Sequence, residues 1–451
     1  MRVLHVGKYY PPFAGGIEHF LADLLPALQT QGIAVAALVH DSPATDPSPP
    51  TPLPGGEGSA GLALLPEGEG NAGLAPLPEG EGSARLRGAE EMRIYRAPSY
   101  GRLLYAPVSP AFPFWLARAI REFRPDQLHL HLPNTSAFWA LMIPAARRLP
   151  WVIHWHADVV SSAIDRRLAL AYRLYRPFEQ RLLAASRAVI ATSPPYLDAS
   201  AALAPWRERC HIIPLGLDPA RIPDPDPAAQ RRAEALWNAT TTLSLAAGKG
   251  GSEGDERQTP SPPAGEGGGG GEPFRILAIG RLTYYKGHDV LIQAAAELPG
   301  SRVLIVGTGE QRRRLEALIQ TLDLTEWVHL AGFQPESDLN ALLAGCDVLC
   351  LPSLERTEAF GLVLLEAMRF GKPVVVGDIP GSGAGWVTRQ AGHGLLAPPG
   401  DAPVLAAALR ELQHDPARRH ALGQAGMAAL RDQFGITPVA AAVAELYREL
   451  G

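Results

Sequence analysis

The sequence predicts an α/β protein of two domains built on parallel sheets, and three observations predict it. Short, wholly apolar runs bounded by turn residues recur along the chain, residues 3–6, 349–351 and 373–376 among them, as expected of strands covered on both faces. A strand running through a glycine turn into a helix opens the chain, and the strand-to-glycine-turn device returns at residues 303–309. The 451 residues, 46% of them apolar, suffice for two cores.

The whole chain narrows the function classes. A net charge of −5 and a pI near 6.2 leave no global basic field for nucleic acid. Three cysteines, Cys210, Cys346 and Cys350, make neither a disulfide framework nor a zinc site and fit a reduced cytoplasm. Residues 1–6 lead straight into a strand rather than a signal peptide, and no apolar run approaches the roughly 18 residues of a membrane span. The expectation is a cytoplasmic protein, soluble or peripheral at a membrane.

In chain order, the strand at 3–6 is followed by Tyr9-Tyr10-Pro11-Pro12 and Ala14-Gly15-Gly16. Ile17, Phe20, Leu21, Leu24, Leu25 and Leu28 then recur at helical spacing. This is a Rossmann-like opening without GxGxxG, so it gives little support to a dinucleotide. After a strand at 33–40, residues 42–88 turn to Pro, Gly, Glu, Ser and Ala, with a twelve-residue repeat begun at Pro54, Pro66 and Pro78. So few large apolar groups bury no core, and the segment reads as a disordered insertion in a surface loop. Residues 92–97 resume the fold. Residues 125–131 alternate like an edge strand, and a strand at 151–154 runs into Trp155-His156-Ala157-Asp158. His156 stands just past a strand end, where open α/β sheets bind ligands; the plainer reading is a satisfied structural histidine. From Ile164 to Arg187 a helix carries Leu168, Tyr172, Tyr175, Phe178 and Leu182 on one side and an excess of arginines. That pattern reads as a core stripe with a solvated face, or more sharply as contact with an anionic membrane surface. The first domain ends at 217. Residues 218–273 form a linker whose stretch 240–272 is a second low-complexity insertion.

The second domain spans 274–435. A strand at 275–279 leads into Gly280-Arg281-Leu282-Thr283-Tyr284-Tyr285-Lys286-Gly287, and a strand at 303–306 into Gly307-Thr308-Gly309, which would approach a nucleotide. The strand at 328–332 and Phe333 make a nucleobase wall. Between the strands at 349–351 and 373–376, Glu358 and Glu366 stand eight positions apart, one before a helix and one about two turns along it. The first-turn amides of Phe360, Gly361 and Leu362 and the helix dipole suit an anion, best a phosphate. The bland alternative makes Glu358 a loop residue and Glu366 a solvated position, yet Glu366 sits awkwardly among Leu365, Ala367 and Met368. Gly381 to Gly385 reads as a flexible loop.

Pro352-Ser353, Glu358, Phe360-Gly361, Glu366-Ala367 and Gly371-Lys372-Pro373-Val374 together resemble the signature of the retaining glycosyltransferases of family 4, which have the GT-B fold. The resemblance covers the chain apart from its two insertions and is strongest from Arg275 to Asp401. It implies two Rossmann-like domains facing a cleft, with residues 436–451 forming a helix packed back on the first domain. It implies that Gly15 and Gly16 face a nucleotide-sugar donor, that Arg281 and Lys286 hold its diphosphate, and that His156 contacts its sugar or phosphate. Glu366 would bind the ribose and Glu358 the sugar hydroxyls, with no metal or cofactor required. The acceptor would be a saccharide or a lipid-linked saccharide, in cell-surface polysaccharide or lipopolysaccharide assembly. Two departures stand out: Leu215 where the family usually has Asn, and Trp386 where many relatives have Glu. A nucleotide-sugar epimerase of the same architecture and a noncatalytic nucleotide-sugar-binding subunit are the alternatives, to be separated by turnover without and with acceptor.

Overall fold

The computed structural model describes residues 1–12, 15–41, 92–103, 106–159, 166–247 and 272–451. The repetitive segment 42–88, and 248–271 of the second one, lie outside the described residues. The first half holds β1 (Arg2–Val6), β2 (Ala34–His40), β3 (Arg93–Ala97), a small hairpin of β4 (Arg102–Leu103) and β5 (Ala106–Pro107), then β6 (Gln127–Leu132), β7 (Trp151–Trp155), β8 (Ala188–Ala191) and β9 (Cys210–Ile212). The second half holds β10 (Phe274–Ile279), β11 (Ser301–Val306), β12 (Val328–Gly332), β13 (Val348–Leu351), β14 (Val374–Gly377) and β15 (Gly394–Ala397). Two wholly parallel sheets result, ordered β3-β2-β1-β6-β7-β8-β9 and β12-β11-β10-β13-β14-β15. The α/β expectation of two Rossmann-like domains holds.

Strand order reverses between β1 and β6 and again between β10 and β13, and crevices at such switch points are where open α/β sheets take ligands. The two crevices face each other. A Cβ on Gly16, at the start of the helix after β1, would lie 2.9 Å from Cδ1 of Leu362, at the start of the helix after β13. The helix Ile436–Leu450 crosses back: Ile436 N–H donates to Leu217 O at 2.9 Å, and Arg448 donates to Gln31 O at 3.0 Å beyond the helix Gly16–Thr30. Leu215 is 4% exposed, so the apolar departure fills core space.

Three local expectations are corrected. β6 is central, not an edge: its six residues are all buried, and His129 and His131, which read as a polar face, stack on other histidines. The helix Pro227–Ala247 runs on past 240 into the second insertion; no glycine or proline breaks that run before Gly248. This helix lies on the helix Glu336–Gly345, where Arg232 pairs with Asp338 at 2.6 Å. Gly383 begins the helix Gly383–Ala391, capped by Ser382, so only the first part of the expected loop at 381–385 is a turn. In the helix Arg166–Ala185 the expected core stripe keeps Leu182, but Phe178 is exposed and Glu179 is fully buried in its place. Ile164 lies outside the described residues.

Candidate active site

Four loops at the carboxyl ends of β10, β11, β13 and β14 build one wall of the cleft. The turn after β10 needs two glycines for packing. Gly287 has φ 65°, and a Cβ there would meet Pro352 O at 2.0 Å; one on Gly280 would press on Lys286 Cε at 3.1 Å. Gly307 and Gly309 lie against the same turn, where added Cβ atoms would meet Gly280 O at 1.9 Å and Leu282 O at 2.4 Å. They therefore hold the 280–282 backbone close, besides bordering the crevice.

Lys286 Nζ donates to Glu358 Oε2 at 2.6 Å, and Ser353 Oγ donates to the same oxygen at 3.1 Å. Ser382 Oγ bonds the Glu358 carbonyl at 2.5 Å, fixing the loop from behind. Burial works against the Lys286 ammonium, but the Glu358 carboxylate, with Tyr285, overrides it and leaves the Lys286 pKa above its ordinary value. Arg281 is exposed, and among the described residues it makes no ion pair. The two cations feel each other, Arg281 opposing the charge on Lys286.

Two residues past Glu358 the chain supplies open amides. Among the described residues, the N–H groups of Phe360 and Gly361 have no protein acceptor, and no side chain caps the helix Leu362–Arg369. Gly361, with φ 81°, turns the chain into that helix. Glu366 is half-buried; burial raises its pKa, with Arg221 countering and Glu336 and Asp23 adding to the rise. Phe333 is 60% exposed at the end of β12. Trp386 packs edge-on to Phe434, ring centroids 6.0 Å apart, so it fills core rather than standing in for a carboxylate.

The first domain supplies the opposite wall. Gly15 is extended, with φ 179°, and a Cβ there would meet Glu18 Oε2 at 2.3 Å. His156 follows β7, 3% exposed, beneath the edge of Phe20. Asp158 bridges the domains: Arg356 Nη2 donates to its Oδ2 at 3.0 Å, while Trp155 and Ser200 donate to its Oδ1 at 2.8 and 2.7 Å.

Sequence reasoning missed Arg356, which is unremarkable by pattern, and a buried set around His156. His5, His129, His131 and His154 share its face of the sheet, and Tyr447 joins them from the last helix. The signal was the doubled alternation Leu-His-Leu-His and Ile-His-Trp-His, whose period of two puts four imidazoles on one face. Burial holds each imidazole in its neutral form, and His131 is pushed down to about 3. Ring nitrogens of His131, His154 and His156 lie within 4.8 Å of one another. Yet His154 and His156 are parallel, with centroids 4.3 Å apart, and lone pairs lying in separate stacked planes do not converge on one ion.

Residues 15–216 match the glycosyl transferase 4-like domain and residues 267–428 match the glycosyl transferases group 1 family. The chain is 25% identical to the O-antigen chain mannosyltransferase C of Escherichia coli, covering 100% of this chain and 99% of that protein. It is 27% identical to the D-rhamnosyltransferase WbpZ of Pseudomonas aeruginosa, over 96% and 92% of the two. Among solved structures, sucrose-phosphate synthase from Thermosynechococcus elongatus superposes with a TM-score of 0.65 at 22% identity, over 100% of this chain and 98% of that one. Anabaena Alr3699/HepE in complex with UDP-glucose superposes with a TM-score of 0.62 at 19% identity over the whole of both chains. With both halves matched and the two sheets opposed across a cleft, the chain belongs to the glycosyl transferases group 1 family and is a glycosyltransferase of the GT-B fold.

Proposed function

We propose that the protein moves a sugar from a nucleoside-diphosphate donor to a saccharide or lipid-linked acceptor, with retention at the anomeric carbon, in cell-surface polysaccharide synthesis. The observation that carries this reading is the buried Lys286–Glu358 pair beside the open amides of Phe360 and Gly361. Lys286 has three donors and gives one to Glu358, leaving the others for a β-phosphate. Arg281 adds a second cation without a partner of its own among the described residues. As the bond from the anomeric carbon to the phosphate oxygen breaks, its electron pair stays on the phosphate, and these cations and amides stabilise the growing charge without a metal. The acceptor oxygen bonds to the same face of the carbon, and its proton passes to the departing phosphate. Glu358 orients sugar hydroxyls, Glu366 the ribose, and His156 the donor from the facing domain. The Gly15–Gly16 turn admits the donor, while Gly307, Gly309 and Leu362 border it.

Support for the nucleotide comes from the bound UDP-glucose in the Anabaena neighbour, and for the pathway from the names of the Escherichia coli and Pseudomonas relatives. Peripheral contact with an anionic membrane fits the outward face of the helix Arg166–Ala185, where Arg173, Leu174, Arg176, Phe178 and Arg181 are all exposed. No helix among the described residues is long and apolar enough to cross a membrane. The test is thermal stabilisation by UDP-, GDP- and ADP-sugars, then turnover with the stabilising donor and NMR of the product's anomeric configuration. A shift for one base, lost in Glu366→Ala and Lys286→Ala, supports the donor site. Inversion at the anomeric carbon overturns the retaining mechanism, and no shift with any donor overturns the reading.

A further inference from the structure

Four of the buried histidines, His5, His129, His131 and His156, form a single chain of hydrogen bonds with Tyr447. His129 Nδ1 meets the Tyr447 hydroxyl, and that hydroxyl meets His5 Nε2 at 3.4 Å. His5 Nδ1 meets His131 Nε2 at 3.0 Å, and His131 Nδ1 meets His156 Nε2 at 2.9 Å. Among the described residues, its ring nitrogens without a partner are the two ends, His129 Nε2 and His156 Nδ1. The chain runs from the amino end of β6, where Gln127 also bonds Tyr447 O, to the carboxyl end of β7 at the cleft. Asp158, two residues beyond His156, already touches the second domain.

We propose that Tyr447, acting through His5 and His131, governs whether His156 Nδ1, the ring nitrogen not bonded to His131, carries a proton or a lone pair. The reason is a counting constraint. A neutral imidazole carries one N–H, and a bond between two imidazole nitrogens needs one proton between them. If His5 holds its proton on Nδ1, then so must His131 and His156. His5 Nε2 then accepts from Tyr447, whose oxygen accepts from His129 Nδ1–H. If His156 holds its proton on Nε2, every member is reversed. The chain has two states, with all four histidines Nδ1–H or all four Nε2–H, and only a group that both donates and accepts can join His5 to His129. Tyr447 is that group.

The chain is a positioning device and no conduit to water, because a proton entering at His156 would have to leave through the buried, partnerless His129 Nε2. In the Nδ1–H state the buried Nδ1 of His156 is a neutral donor for an anionic or hydroxyl-bearing ligand that reaches it from the cleft. In the other state it presents an acceptor that repels a phosphate oxygen. The enzyme thereby fixes the polarity of a group it keeps uncharged. The inference rests on the donor-side role given to His156 above.

The test is long-range proton–nitrogen correlation NMR on the full chain labelled with nitrogen-15 histidine, assigned through single His→Gln variants. Expected is one shared tautomer at His5, His129, His131 and His156 at pH 7, with no imidazolium. Any mixed set, or any imidazolium among the four, overturns the proposal. So does a stoichiometric transition metal in the purified protein, because it would replace these bonds. Tyr447→Phe, which keeps the ring, should free His129 to differ from the other three, and should lower kcat by about three- to tenfold with KM little changed. An unchanged His129 together with unchanged kcat overturns the proposal. If Tyr447→Phe does not fold, the wild-type tautomer set decides alone. The two readings fail separately: a shared tautomer that no nucleotide sugar perturbs, in a protein that no donor stabilises, sinks the donor site and leaves the chain. A mixed set in a protein that UDP or GDP stabilises sinks the chain and leaves the donor site.

Discussion

Replacing Lys286 by Met asks whether the pair with Glu358 exists for the fold or for the chemistry. The two charges are 2.6 Å apart, with side chains 15% and 11% exposed. At an effective dielectric near 20 their attraction is about 6 kcal/mol, much of it offset by desolvating both groups. Deleting only the lysine leaves Glu358 with Ser353 as its one side-chain donor, and should cost about 3–5 kcal/mol of stability. Lys286→Met/Glu358→Gln removes the stranded charge and should return to within about 1 kcal/mol of wild type, since a neutral amide tolerates the same pocket. Catalysis should not return with it. If Lys286 holds the leaving phosphate, kcat falls by about 10²–10³ in the single variant and stays there in the double. Urea unfolding supplies the stability cycle, and initial rates with saturating donor supply the second axis. Recovery of turnover together with stability would refute the reasoning, because the pair would then be structural.

Three further outcomes follow from single groups. Burial raises the Glu179 pKa from 4.5 to about 7, so the native state holds that proton longer than the unfolded chain does, and stability should fall as pH rises from about 4.5 to 7. The loss is about 3 kcal/mol, and Glu179→Gln should flatten that stretch of the urea-unfolding profile; an unaltered slope places the titration elsewhere. Asp158→Asn keeps an acceptor for Trp155 and Ser200 but drops the Arg356 ion pair, worth about 1 kcal/mol at this exposure, so the closed-to-open ratio should fall about fivefold. Small-angle scattering should then show a larger radius of gyration; an unchanged radius means the pair does not hold the domains. Gly361→Ala forces a Cβ onto φ 81°, 3.0 Å from Leu351 Cδ2, and should cost about 1–2 kcal/mol and weaken donor binding; a variant as stable as wild type would show that the turn relaxes.

Much of the fold was legible because parallel strands covered on both faces leave a plain mark. Val374–Gly377 and Arg2–Val6 have no competing period, and the glycines after β1, β10 and β11 punctuate the chain where the backbone needs them. The candidate site was legible for the same reason, since Lys286, Glu358 and Gly361 sit in loops whose positions the strand ends dictate. What failed was burial of polar groups. The Leu-His alternation of β6 obeys the rule for a half-solvated strand, and only a partner segment distant in sequence turns the polar face inward. Glu179 misled in the same way, its place on the helix belonging by period to either face.

The histidine face shows what such failures are worth. A sheet that simply needed a core would put Val or Ile at positions 5, 129, 131, 154 and 156, as it does at Val3, Val35 and Val152 on the same face. Imidazole there costs desolvation at every ring, and among the described residues His154 has no hydrogen-bond partner at either nitrogen. Helix Ile436–Leu450 could cover the face with apolar residues alone, as Val439 and Val443 do, yet it also inserts the one hydroxyl that closes the chain between His5 and His129. Stability alone does not account for a polar line of this length through a core, with its ends open and its interior satisfied. One end lies where the domains meet and the other under a helix that joins them. The last helix therefore does more than tie the second domain to the first: it reaches through the first sheet's core to the side chain at the cleft.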